Sequence, residues 1–148
     1  MTPHHMIYQV DAEASRQRVR HALTTNDGIA GWWTDRAVVP GQVGGTLLLT
    51  FPLMPEPWRL RLTESSDSRV QWQVGEFPPA WAGTRIVWLL SDIPDAPGTR
   101  IVLQHRDWDE AAPTVGTVAV RWVQVLHALC AYARSGVPDP VYVNGPGS

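Results

Sequence analysis

Hydrophobic periodicity changes twice along this chain, and that order constrains its fold more than any single motif. Helical spacing in the first part gives way near residue 36 to a period of two, which lasts to about residue 106. Helical spacing then returns and runs to Ser135. A half-buried sheet needs a cover, and an amphipathic helix needs a surface, so each apolar face is the natural partner of the other.

The elements follow from that pattern. "MIYQV" at 6–10 reads as a short strand. Ser15 is placed to N-cap a helix of about Arg16 to Thr24, with Val19, Ala22 and Leu23 inward. "DGIAGWW" is too short and Gly-rich for an independent helix, so a single turn ordered by tertiary contact is expected. In "WRLRLT" Trp58, Leu60 and Leu62 share one face; in "RVQWQVG" Val70, Trp72 and Val74 do the same. "GTLLLTF", "TRIVWLL" and "TRIVLQHR" add strands separated by turn signals at "VGG", "SSDS" and "PDAPG". In the last strand Ile101, Leu103 and His105 lie on one face. From about Thr114 to Ser135 a helix carries Val115, Ala119, Trp122, Leu126, Leu129 and Ala133 on one stripe, and Gly136 is its C-cap. The sum is an α+β domain: one strand, two short helices, an antiparallel meander of six or seven strands in total, and a long C-terminal helix. Residues 1–5 and 137–148 read as tails around a domain at 6–136; "GVPDPVYVNGPGS" would need a docking site to be ordered.

Composition narrows the function. All twelve basic residues are Arg, which excludes lysine Schiff-base chemistry and phosphate loops that depend on lysine. Net charge is −2 and the arginines are scattered, unlike a nucleic-acid surface. No apolar run reaches the roughly 18 residues of a membrane span, and the first residues lack an export signal, so a cytoplasmic protein is expected. The single cysteine, Cys130, forms no internal disulfide and reads as a small hydrophobe. No metal-spaced Cys/His set and no HExxH, GxSxG or GxGxxG motif occurs, so neither metal nor nucleotide cofactor is expected and no catalytic residue is assigned.

The order "ALTTNDGIAGWWTD", "GQVGGTLLLTF", "RVQWQV", "GTRIVWLL", "GTRIVLQHRDW" and a closing amphipathic helix resembles the START-like SRPBCC superfamily. Within it, the AHSA-type branch is similar, which is related to the C-terminal domain of the co-chaperone that activates the ATPase of heat-shock protein 90. The resemblance covers about Ile7 to Gly136. It implies a helix-grip fold with an apolar pocket, used across the superfamily for lipids, sterols, polyketides and hormones, sometimes for binding and sometimes for catalysis. The co-chaperone carries an extra N-terminal domain, whereas the strand pattern here starts at about residue 6, so direct chaperone activation is not expected.

Pocket candidates are Trp32, Trp33, Trp72, Trp88, His105, Trp108, Trp122 and Leu126. Each has a structural alternative: a buried indole removes about 150–250 Å² from water and contributes about 4–6 kcal/mol before entropy, reason enough to retain it in a core. Trp32 and Trp33 divide between a core staple and a lid, with Gly28 and Gly31 allowing movement. His105 reads either as a satisfied core group or as a hydrogen-bonding partner for a ligand. Asp107, Asp109 and Glu110 are expected to cap the long helix, and Asp35 and Glu76 to lie at a pocket rim. The expected function is binding of a hydrophobic or aromatic, lipid-like or polyketide-like molecule between sheet and helix, without catalysis. The alternatives are a cyclase or hydrolase in the same pocket, or a stress-related chaperone-associated module using the loop "EFPPAWAG" at 76–83. A homodimer is compatible with either.

Overall fold

The structure, a computed structural model, describes residues 3–109 and 115–145. Seven strands form one antiparallel sheet: β1 (Pro3–Ala12), β2 (Arg36–Val38), β3 (Thr46–Thr50), β4 (Trp58–Ser65), β5 (Arg69–Val74), β6 (Arg85–Asp92) and β7 (Thr99–Asp109), in the spatial order β1-β7-β6-β5-β4-β3-β2. From β2 to β7 this is a plain meander, and β1 closes it by pairing with β7. Helices α1 (Arg16–Thr24) and α2 (Asn26–Trp32) link β1 to β2. Helix α3 (Val115–Ser135) lies across the sheet and, at about 1.5 Å per residue, is long enough to span it. This is the helix-grip arrangement expected for an α+β chain of this pattern. No helix among the described residues is long and apolar enough to cross a membrane.

Local chemistry fixes each boundary. Ser15 accepts from the Arg18 amide to start α1, and Thr25 accepts from the Gly28 amide to start α2. Gly136, at φ +73°, ends α3 through its amide to the Tyr132 carbonyl. The inward positions of the sheet are those of the alternation: Leu60 and Leu62 on β4, Val70, Trp72 and Val74 on β5, Ile101, Leu103 and His105 on β7. On α3 the buried stripe is Val118, Trp122, Val125, Leu126, Leu129 and Ala133; Ala119 is only partly buried, and the apolar stripe includes Val118 and Val125.

Three readings of the sequence change. β1 begins at Pro3, because β7 runs to Asp109 and offers a partner that far, Pro3 lying opposite Asp109. His5 is thereby tied down, its Nδ1 accepting from the Asp107 amide at 3.1 Å. β7 continues past Arg106 because it pairs with β1 as far as Asp109; Asp107, at φ +70°, breaks the alternation there, and Trp108 is buried. Asp107 does not cap α3; its carboxylate binds the Arg85 guanidinium at 2.6 Å. Glu110 lies outside the described residues.

The third change concerns Gly28 and Gly31, which serve close approach and not movement. A Cβ on Gly28 would strike the His21 carbonyl, and one on Gly31 would strike the Tyr132 ring. The two glycines let α2 press against α1 and α3.

Candidate functional site

Eight tryptophans converge on the space between the sheet and α3, and they fall into a filled part and an open part. In the filled part Trp32 and Trp33 stack at 5.4 Å and 16°, although neighbours in sequence cannot share one face of a helix. They do so because Trp33 is the residue that leaves α2, with φ −105° and ψ −72°, and both rings are buried. Trp32 donates from Nε1 to the Ala22 carbonyl at 2.7 Å and meets Trp88 edge-on at 5.8 Å. Trp88 in turn meets Trp72 at 5.6 Å and Trp122 at 5.9 Å. These rings touch one another, and Trp72 and Trp88, expected as pocket walls, are buried and do not line the cleft described below.

His105 belongs to the same solid part. It is fully buried, and Trp122 donates from Nε1 to its Nδ1 at 2.9 Å. An indole N–H only donates, so Nδ1 carries no proton and the neutral ring holds its proton on Nε2. Nε2 then donates to Thr84 Oγ1 at 2.8 Å, and that hydroxyl donates onward to the Trp81 carbonyl at 2.7 Å. Every polar atom of the chain Trp122–His105–Thr84–Trp81 is satisfied. Burial pushes the His105 pKa down to about 3, so the ring stays neutral through the physiological range. Thr84 is buried as well and has the imidazole N–H, not a lone pair, facing it, which is the wrong arrangement for activating a nucleophile. Trp108 and Leu126 complete the filled part, Trp108 against His105 at 4.6 Å.

The open part lies where α3 meets the start of β4. Four indoles make a closed cycle of contacts: Trp33 to Trp58 at 6.5 Å, Trp58 to Trp81 at 4.6 Å, Trp81 to Trp122 at 5.8 Å, and Trp122 back to Trp33 at 5.5 Å. They line a cleft of about 220 Å³. Val118 and Val125 extend its wall along α3, and Tyr142 closes another side. Thr117 and Arg121, both exposed, stand at its edge one helical turn apart. A wider groove of about 580 Å³ beside α1 has polar walls. Its arginines are already engaged, Arg16 with Asp92 and Arg20 with Ser65 and Ser66.

Of the sequence candidates, Trp33 and Trp122 line the cleft, while Trp32, Trp72, Trp88, His105, Trp108 and Leu126 pack behind it. Sequence reasoning missed Trp58, Trp81 and Tyr142 as walls. Trp81 sits in the segment 76–83 expected to be exposed; a 3-10 turn, Pro79–Trp81, tucks its ring inside. The signal was the pair of large aromatic residues in that loop, Phe77 and Trp81. Tyr142 arrives through the tail, which docks on α2: Asp139 N bonds Gly31 O, Val141 N bonds Trp32 O, and Tyr142 N bonds Trp33 O. Asn144 latches it, its amide donating to Asp35 Oδ1 at 2.6 Å and to the Thr50 carbonyl at 3.1 Å. That bond holds the Asp35 carboxyl below the usual carboxylate range, and Asp35 is thus spent on the tail. "VYV" between prolines was the legible hint of docking.

No family model matches the sequence, and no curated protein matches it either. Solved structures do. The Aha1 dimer of Colwellia psychrerythraea is 26% identical, covering 90% of this chain and 98% of that one, with a TM-score of 0.79. An AHSA1-like protein of Aeromonas hydrophila is 17% identical over 88% of this chain and 94% of its own, with a TM-score of 0.67. DynU16, a protein in the dynemicin biosynthetic locus, is 17% identical over 90% of this chain and 48% of its own, with a TM-score of 0.73. Over nearly its whole length the chain thus shares the helix-grip fold of these Aha1 and AHSA1-like neighbours.

Proposed function

We propose that this domain binds a small, flat hydrophobic molecule in the cleft between β4, the Pro79–Trp81 turn, α3 and the docked tail, without transforming it. The observation that carries the reading is the cycle of four indoles around about 220 Å³ of apolar space, since small-molecule sites are mostly apolar with few polar groups. Size refines it. Ligand pockets commonly span about 300–1,000 Å³, while an engineered apolar cavity of about 150 Å³ holds benzene. The cleft suits one or two fused rings better than an extended polyketide or sterol. Catalysis by the inward polar pair is disfavoured, because both nitrogens of His105 are committed and the pair sits behind the indole wall.

Intrinsic tryptophan quenching and calorimetry across a panel of one- and two-ring aromatics test this. Binding by the native chain, lost in Val118→Trp, which fills the cleft from α3, is the expected result. Failure of every ring compound to bind, or equal binding by the filled variant, overturns it.

Self-association is a second reading, supported by the Aha1 neighbour solved as a dimer and by Val120 and Val123 exposed on one face of α3. Sedimentation of the native chain against Val120→Glu checks it: a dimer abolished by the variant supports it, a monomer at all concentrations excludes it.

A further inference from the structure

An indole box alone leaves the ligand's charge undecided. Aromatic faces attract quaternary ammonium groups through the ring quadrupole as readily as they stack on neutral rings. The edge of this box decides it. Arg121 is the one charged residue among those lining the cleft, and no carboxylate lines it among the described residues. Arg121 and Thr117 lie at positions i and i−4 on α3, so their side chains stand together on the same outer strip, while Val118, Trp122 and Val125 form the inner strip beside it. A molecule with its rings among the indoles therefore has one edge toward a guanidinium and a hydroxyl. A guanidinium offers paired N–H donors that match a carboxylate in a bidentate fork, and a hydroxyl supplies a third donor. It repels an ammonium at the same distance.

Resting on the small-molecule reading above, we infer that the ligand class is an aromatic carboxylate of one or two rings, ring end inward, with Arg121 and Thr117 holding its carboxylate at the cleft edge. The neutral amide of the same ring keeps the stacking and loses the charge-assisted pair. The cationic analogue keeps the stacking and gains repulsion.

The test is calorimetric titration of the native chain with 2-naphthoate, 2-naphthamide and a naphthyl trimethylammonium salt at moderate ionic strength. Naphthoate is expected to bind at least about tenfold more tightly than naphthamide, a factor set by one charge-assisted pair, and the cation most weakly. In Arg121→Gln the naphthoate advantage shrinks to within about twofold while naphthamide affinity is unchanged. The residue is exposed, and an unaltered melting curve checks that the variant folds. Equal binding of acid and amide by the native chain, tighter binding of the cation, or a naphthoate preference that survives in Arg121→Gln overturns the inference and leaves the cleft as a neutral-ring site. If none of the three binds, the small-molecule reading falls and this one with it.

Discussion

The two parts of the aromatic cluster differ less in residue type than in what surrounds the rings. Around Trp32, Trp72 and Trp88, Gly28 and Gly31 bring α2 close against α1 and α3, and the three rings are fully buried. Around Trp58 and Trp81, α2 has ended, and α3, a short turn and the tail cover the sheet. Trp58 is accordingly only partly buried. The same indoles are filler where two helices converge on the sheet and wall where one helix does. Spacing of secondary structure, not the tryptophan count, separates core from cleft.

Three measurements break or sharpen this contrast. The largest effect is expected for Trp32→Ala, which removes a fully buried indole, its stacking on Trp33 and its hydrogen bond to Ala22. Chemical denaturation should register a loss of about 3–5 kcal/mol; a loss under about 1 kcal/mol would mean that the filled part is not close-packed.

Acid comes next. Unfolded His105 takes up a proton below its ordinary value of about 6.5, while the folded ring stays neutral down to about 3. The unfolded state binds more protons throughout that window. Stability is thus fully present above about pH 6.5 and falls as pH drops, by about 1.4 kcal/mol per unit from this group alone. Equilibrium unfolding between pH 7 and 4.5, before most carboxylates titrate, isolates the slope. His105→Phe should be less stable at pH 7, because the Trp122 indole loses its acceptor. It should also be flatter with pH and unchanged in affinity for cleft ligands.

The smallest effect belongs to the open part. Trp58 Nε1 has no partner among the described residues, so Trp58→Phe deletes an unsatisfied donor while keeping an aromatic wall. Thermal melts should move by less than about 1 kcal/mol equivalent. Trp122→Phe, in contrast, strands His105 Nδ1 and should cost more; comparable losses would mean that this hydrogen bond contributes little to the fold.

Much of the architecture was legible because alternation and helical spacing report burial directly. The inward sets on β4, β5 and β7 and the buried His105 followed from period, and the caps Ser15 and Gly136 from residue type. The cleft was less legible, for a physical reason. Periodicity says which side of an element a residue faces, not whether the facing elements touch, so Trp72 and Trp88 read the same as Trp122. Two of its walls come from segments with no period at all: Trp81 from a Pro-rich turn and Tyr142 from the tail. Asp107 shows the remaining gap, since one left-handed residue breaks the alternation before Trp108 and no pattern of side chains announces it.

Because Tyr142 is part of the cleft while its own amide hangs on the Trp33 carbonyl, peeling of the tail and emptying of the cleft are linked equilibria. Any molecule that rests on Tyr142 must slow the solvent exchange of the Val141 and Tyr142 amide protons by the factor 1 + [L]/Kd. These two backbone deuterium clocks would report occupancy without a label on either partner.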